Sequence, residues 1–396
     1  MKIAGVIAEY NPFHNGHAHQ LAQLRQQGYS HIAVAMGGNF LQRGSAAVCS
    51  KQLRAKMALL SGADLVVELP LSWACAPAQR FAAGGVALLD ALGCHTIAFG
   101  SECGDLALLR LAADAAQNEE VAALTRQLMK DGSTFAAARQ TAVAQLYPQA
   151  AKVFDNPNDN LCVEYLLALQ NQHSPMEPLA LQRVGAAHDT AQVEQNIASA
   201  SHIRQLLFDR ETDRAFSLLP QPSREILTEA LAQGLAPADL ARAEAALLAK
   251  LRSMSAADFA VLPDISEGLE NRLYSAARRA CRLEEFLQLC KTKRYTLARL
   301  RRITLAAFLG LKKDDLPQLP PYLRVLGFNR RGQELMTLAA KEGKLPLSHS
   351  LARLEELGGQ AAATARLEGV STDLFALMLP TPQPCGQDYQ SKVLSL

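Results

Sequence analysis

The chain has 396 residues, 49% hydrophobic and 20% charged, with a formal net charge of +2 at pH 7. That length exceeds one small core and calls for two or three domains, while the near-neutral balance means that any nucleic-acid surface must come from local clustering. Eight cysteines, scattered without a C-x-x-C pair, exclude zinc-finger spacing and read as small buried hydrophobes rather than a disulfide scaffold.

Lys2–Ala8 (KIAGVIA) reads as a buried first strand, and NPFHNGH turns it into a helix beginning near Gly16. This apolar stretch lacks a basic n-region and a cleavage site, and no run approaches the roughly eighteen residues of a membrane span, so a cytoplasmic protein without a membrane partner is expected. Further strands are predicted at His31–Met36, Asp64–Glu68 and Thr96–Gly100, with helices at Gly16–Gln27, Ser50–Ser61 and Pro77–Leu92. Nearly continuous apolar strands alternating with amphipathic helices imply a parallel sheet covered on both faces. The expected fold class is α/β, a Rossmann-like doubly wound domain over residues 1–208 with ligands at the C-terminal strand ends.

Leu106–Leu146 is alanine-rich and helical, Asn158–Gln170 is another helix, and Leu179–Val184 reads as a late strand after Pro175 and Pro178. From Asp209 to Leu311, Leu and Ala recur at three- and four-residue spacing, which predicts a helical domain over 209–315. A Pro-containing stretch, Leu316–Pro321, then leads into a small mixed α/β C-terminal segment, 316–396, with short elements at Tyr322–Val325, Gly332–Lys341 and Thr372–Leu377.

The chemistry concentrates where strands end. His14-Asn15-Gly16-His17 follows the first strand directly; a glycine there lets backbone approach a ligand, and a helix N-terminus offers unpaired N–H groups to phosphate. This H-x-G-H arrangement resembles that of the nucleotidyltransferases related to class I aminoacyl-tRNA synthetases. Those enzymes direct a nucleophile at the α-phosphate of a nucleoside triphosphate, and His14 and His17 would donate hydrogen bonds to charge developing on the phosphoryl oxygens. The plainer alternative is a turn histidine followed by a helix-face histidine.

After the second strand, Gly37-Gly38-Asn39-Phe40-Leu41-Gln42-Arg43-Gly44 forms a glycine loop in which Asn39, Gln42 and Arg43 offer donors to an anionic group. Phe99-Gly100-Ser101-Glu102 ends the fourth strand, where a glycine lets adenine or ribose lie against backbone, unless Ser101 simply caps a turn. Glu68 could orient substrate or a metal-bound water, or cap a neighbouring helix. Lys51 and Arg54 lie one turn apart and could face the same ligand, with solvated charge expected for at least one. Arg183, at the edge of the late strand, suits bidentate pairing with phosphate, and Arg204 closes Ser199-Ala200-Ser201-His202-Ile203-Arg204, another helix start. Lys291–Arg302 has six basic and no acidic residues. Lys291, Lys293, Arg294, Arg301 and Arg302 could track an RNA backbone with Tyr295 available to stack, or form a solvated helix face.

IAEYNPFHNGH, GGNFLQRG, GADLVVELP, FGSE, the Asn158 segment, SEGLENRLY, KRYTLARLRR and YLRVLGFNRRG recur in the order that resembles the bacterial tRNA(Met) cytidine acetate ligases, over essentially the whole chain. The resemblance implies ATP-dependent activation of acetate as acetyl-adenylate, then acetyl transfer to the wobble cytidine of elongator tRNA(Met) to give N4-acetylcytidine. It implies an ATP site made of Ile7, Ala8, Glu9, Tyr10, Asn11, Pro12, Phe13, His14, Asn15, Gly16, His17, Ala18, His19 and Gln20, with Gly100, Arg183 and an asparagine. Asn158 is favoured over Asn160, though spacing does not settle it. Mg²⁺ is expected with the triphosphate. Gly37 stands where the family usually has serine, Ser45 where an acidic residue often follows, and Ala76-Pro77-Ala78-Gln79 replaces a more usual Ser-Ala-Glu, so acetate contacts stay open.

Two other functions compete. An adenylyltransferase acting on a phosphorylated small metabolite would share the H-x-G-H site but would leave about two hundred further residues and the basic helix without a role. A non-catalytic nucleotide-dependent RNA-binding protein would have no need of both histidines.

Overall fold

The computed structural model describes residues 1–183, 196–266 and 268–396; Val184, the predicted end of the late strand, and Glu267 of SEGLENRLY lie outside them. Four early strands form where the apolar runs predict: β1 (Ile3–Ala8), β2 (His31–Gly37), β5 (Leu65–Leu69) and β6 (Thr96–Ser101). Between β2 and β5 the glycine loop folds back as a small antiparallel ribbon of β3 (Phe40–Leu41) and β4 (Ser45–Ala46). The late strand is β7 (Glu177–Gln182), and the C-terminal part adds β8 (Leu323–Phe328), β9 (Leu347–Ser348) and β10 (Leu394–Ser395).

The main sheet runs β10-β8-β5-β2-β1-β6-β7, with β9 also paired to β8. From β5 through β2, β1 and β6 to β7 every pairing is parallel, whereas β8 runs antiparallel to β5. The last segment therefore does not stand apart from the sheet but completes its edge. Thr372–Leu377 is the end of a long helix, Gly359–Ala376, and its C-cap.

Two apolar layers cover the sheet. One packs Trp73, Phe81, Leu89, Phe99, Leu109 and Val163 beneath the helices Ala78–Ala91, Leu106–Gln117 and Pro157–Asn171. The other packs Tyr10, Phe13, Leu21, Met57 and Ile203 beneath α1 (Asn15–Gln26), α2 (Lys51–Leu60) and the helix Ala200–Phe208. A separate cluster around Phe259, Leu273, Phe286, Tyr295 and Ile303 forms the core of the helical part. Burying each such side chain contributes roughly 1.5–3 kcal/mol. Among the described residues no helix is long and apolar enough to cross a membrane.

Candidate active site

The sheet order reverses at β1, which has β2 on one side and β6 on the other. Ligands of open α/β sheets bind in the crevice outside such a switch point. A cleft of about 330 Å³ opens there. It is lined by Ile7–Asn11, His14, Gly16, His17, His19 and Gln20 from the end of β1, the turn and the start of α1, by Gln42 and Arg43, and by Gly100 near the end of β6. Asn158, Asn160, Arg183 and Arg204 complete the opposite wall.

The two histidines hold each other. His14 is the N-cap of α1, and its Nδ1 accepts the Gly16 N–H at 3.1 Å. The His14 N–H in turn donates to Nδ1 of His17 at 3.2 Å. Because both Nδ1 atoms are acceptors, each neutral ring carries its proton on Nε2 and keeps one N–H donor to offer. The rings stack with centroids 3.7 Å apart, and Tyr10 and Phe13 support His17 from behind at 4.8 and 5.5 Å. A Cβ on Gly16 would stand 3.0 Å from Cε1 of His14, so glycine leaves the ring its place. Burial, followed by Arg183 and Arg204, lowers the His14 pKa to about 3. Burial, then His14 and Arg183, lowers that of His17 as well. Both rings are therefore uncharged donors at neutral pH.

Arginines line another part of the wall. Arg183 is exposed and passes over the end of β6, where a Cβ on Gly100 would stand 3.2 Å from its Cγ. Arg204 donates from Nη1 to the Asn11 carbonyl at 2.8 Å, and Ser199 caps its helix by accepting the His202 N–H. Guanidinium groups beside helix N-termini suit a polyphosphate.

Beside them a carboxylate pair shapes the turn after β6. Buried Asp159 accepts from Ser101 Oγ at 2.5 Å and from the Glu102 N–H at 2.8 Å. Glu102 accepts the Asp159 N–H at 2.9 Å and the Asn158 side-chain amide. Asn160 directs its amide to the carbonyls of Phe154 and Asn156 at 2.8 and 3.2 Å. Both asparagines reach the cleft, so the choice between them rests on their carbonyl oxygens. Tyr165 and Phe81 also line the cleft, and sequence reasoning missed them because nothing distinguishes them from core residues of their helices.

Several expected site residues lie elsewhere. Pro12, Phe13, Asn15 and Ala18 do not line the cleft. Phe13 belongs to the core, while Asn15 donates from Nδ2 to the carbonyl of Asn196 at 2.9 Å. Asn39, expected to meet substrate or RNA, is buried. Its Oδ1 accepts the Lys51 N–H at 2.9 Å and its Nδ2 donates to Thr372 Oγ1 at 3.1 Å, so its amide is internally satisfied. Neither Lys51 nor Arg54 is solvated; both are fully buried. Arg54 donates to the carbonyls of Glu9 at 2.5 Å, Gly37 at 3.0 Å and Gly38, tying together the ends of β1 and β2. Lys51 reaches Glu68 at 2.5 Å and Asp388 at 2.7 Å, and Arg324 bridges the same two carboxylates. Glu68 is thus a member of a buried ion cluster rather than a substrate ligand or a helix cap.

The basic stretch divides in the same way. Lys291, Lys293, Arg294 and Arg301 are exposed. Tyr295, expected as a stacking platform, is 8% exposed and packs into the helical core, so its face is not available to a base. Arg302 pairs with Asp264 at 3.0 Å and donates to the Gln42 carbonyl at 3.3 Å. Gly44 has φ +71°, and a Cβ there would stand 2.5 Å from the Arg302 nitrogen, so the Gln42–Arg43 loop rests directly on the helix Leu297–Leu309. Among the described residues no group of three or more His, Cys, Asp or Glu side chains could hold a metal ion.

The HIGH Nucleotidyl Transferase family profile matches residues 1–390. The chain is 33% identical over 406 residues to the tRNA(Met) cytidine acetate ligase of Thermoanaerobacter sp. (strain X514), covering 100% of both. It is 39% identical over 365 residues to the enzyme of that name from Syntrophotalea carbinolica, covering 89% of this chain and 86% of that one. The structure matches the crystal structure of apo Thermotoga maritima TmcAL with a TM-score of 0.94 at 30% identity, over 100% of both chains. The same protein bound with alpha-thio ATP matches with a TM-score of 0.93.

Proposed function

The chain belongs to the tRNA(Met) cytidine acetate ligases within the HIGH nucleotidyl transferase family, and from that premise we propose that it activates acetate with ATP and acetylates the wobble cytidine of elongator tRNA(Met). The observation that carries the reading is the stacked, mutually capped pair of His14 and His17. It offers two neutral Nε2–H donors at the sheet's switch point, with Arg183 and Arg204 lining the same cleft.

Acetate is ionised at neutral pH, so its attack on the α-phosphate needs no strong base. It needs approach and relief of negative charge. His14 and His17 donate to the phosphoryl oxygens as charge shifts towards the leaving pyrophosphate, and Arg183 and Arg204 clamp the triphosphate. Gly100 gives the nucleoside a close backbone approach, with Asn158 the favoured asparagine partner. Mg²⁺ accompanying ATP would neutralise part of the triphosphate charge. Residues 1–208 would act as the catalytic unit, and residues 209–315 would receive the tRNA through Lys291, Lys293, Arg294 and Arg301. Acetyl-adenylate hydrolyses in water, so prompt arrival of the acceptor protects it.

Exchange of labelled pyrophosphate into ATP tests the first half of this reading. Exchange that requires acetate supports it, and exchange that requires a phosphorylated metabolite instead would replace it with the adenylyltransferase reading.

A further inference from the structure

We infer that Glu9 is the general base of the acetyl-transfer step, taking a proton from the exocyclic amine of the acceptor cytidine. This rests on the reading that the cleft makes acetyl-adenylate and passes its acetyl group to that amine. Glu9 is the first residue beyond β1, and it is the one carboxylate among the described residues that line the cleft.

A carboxylate in a pocket built for a polyphosphate demands a reason, because the nucleotide repels it. Among the described residues no arginine forms an ion pair with Glu9. Its Oε1 accepts the Gln42 N–H at 3.0 Å, and Arg54 fixes its carbonyl at 2.5 Å. The carboxylate is therefore held at one oxygen, and among the described residues Oε2 makes no hydrogen bond. The loop that holds it is itself held from the helical side, where Asp264 pairs with Arg302 and Arg302 donates to the Gln42 carbonyl. The same helix, Leu297–Leu309, carries exposed Arg301. Glu9 is thus joined through one loop to the part of the chain where the acceptor RNA is proposed to dock.

Among the described residues, most other groups lining the cleft make poor proton acceptors. The Nδ1 atoms of His14 and His17 already accept backbone N–H groups, and their Nε2 atoms carry the protons. Burial raises the pKa of Tyr10, Tyr165 and Cys162, so these hold their protons. His19 remains as a competitor, exposed at the rim.

The cytidine amine is a weak nucleophile because its lone pair is delocalised into the ring. As its nitrogen bonds to the acetyl carbon, the nitrogen becomes strongly acidic, and a carboxylate then suffices as base. The C–N bond forms and the acyl C–O bond breaks, with its electron pair leaving on the phosphate oxygen of AMP. One N–H proton passes to Glu9 Oε2 and from there to solvent.

The test uses the full chain with ATP, acetate and elongator tRNA(Met), and measures AMP formed per acetylcytidine in a single turnover. This ratio is independent of how fast the adenylate forms. Glu9→Gln is expected to raise it at least tenfold, since general-base assistance is worth about 10²–10⁴-fold and the stranded adenylate hydrolyses. Glu9→Asp keeps a carboxylate and should recover part of the coupling. An unchanged ratio in Glu9→Gln, with both products falling together or restored by extra Mg²⁺, would assign Glu9 to the nucleotide and overturn the inference. A raised ratio in His19→Gln but not in Glu9→Gln would move the base to His19. Wild-type protein that makes AMP without acetylcytidine would instead fail the underlying reading, a separate result.

Discussion

His14 and His17 cap the same helical turn in both directions: Nδ1 of His14 accepts the Gly16 N–H while Nδ1 of His17 accepts the His14 N–H. The helix start thereby fixes the tautomer of both rings, and one local motif makes the cap and the pair of phosphate donors. His14→Asn separates the two roles, because its side-chain oxygen can still accept the Gly16 N–H but the Nε2 donor is gone. Acetate-dependent pyrophosphate exchange should fall about 10²–10³-fold, as for loss of a transition-state donor. The melting temperature should stay near that of the wild type. His17→Ala should lose as much activity and also about 1 kcal/mol of stability, the usual worth of a cap. Parallel exchange assays and thermal melts check both.

The histidines also set an acid limb for stability. The His14 pKa is lowered to about 3 from the ordinary 6.5, and that of His17 is lowered too. A depressed folded-state pKa means that the unfolded chain binds the extra protons. Their contribution is fully present above pH 6.5 and is lost progressively as pH falls towards 3. Denaturant unfolding followed between pH 7 and 4 should show a shallower decline in His14→Asn than in the wild type.

The buried ion cluster predicts a contrast between two glutamates. Lys51 and Arg324 face Glu68 and Asp388, while burial and the nearby Glu68 raise the pKa of Glu368 well above the ordinary carboxylate value. Glu368, 3.7 Å from Lys51, is thereby pushed towards its neutral form, and the two cations pair most closely with Glu68 and Asp388. Glu368→Gln should change stability by less than about 1 kcal/mol, because it can still accept the Leu71 N–H. Lys51→Met or Glu68→Gln leaves buried charge unpaired and should cost about 3–5 kcal/mol. Chemical denaturation of the three variants reads the difference.

The divided basic stretch separates RNA binding from positioning. Neutralising Lys293, Arg294 and Arg301 should weaken tRNA binding and reduce the slope of log affinity against log salt by about one for each phosphate-binding side chain removed. Arg302→Gln should leave that slope unchanged and lower turnover, since Arg302 holds the Gln42 loop rather than the surface. A salt titration of tRNA binding beside steady-state kinetics distinguishes the two.

The sequence pattern made the first strands and helices legible because each is a local apolar period bounded by turn residues, and the same locality exposed His14-Asn15-Gly16-His17. The features it hid depend on partners far along the chain. Lys51 reads as a solvated helix charge until Asp388, more than three hundred residues later, is brought beside it. Asn39 reads as a loop donor until Thr372 and the Lys51 N–H occupy its amide. Tyr295 lies within a basic run, and only the packed helical core shows that its ring faces inward. The antiparallel entry of β8 beside β5 has no local signal either, since a short apolar run says nothing of the neighbour it will choose.

The reaction itself is read by incubating the full chain with ATP, labelled acetate and elongator tRNA(Met) transcript, then digesting the RNA for nucleoside mass spectrometry. Labelled N4-acetylcytidine that requires both ATP and acetate is expected, formed about 10²–10³-fold more slowly by His14→Asn. Unmodified RNA in the presence of bound ATP, or acetylcytidine undiminished in His14→Asn, would contradict that expectation.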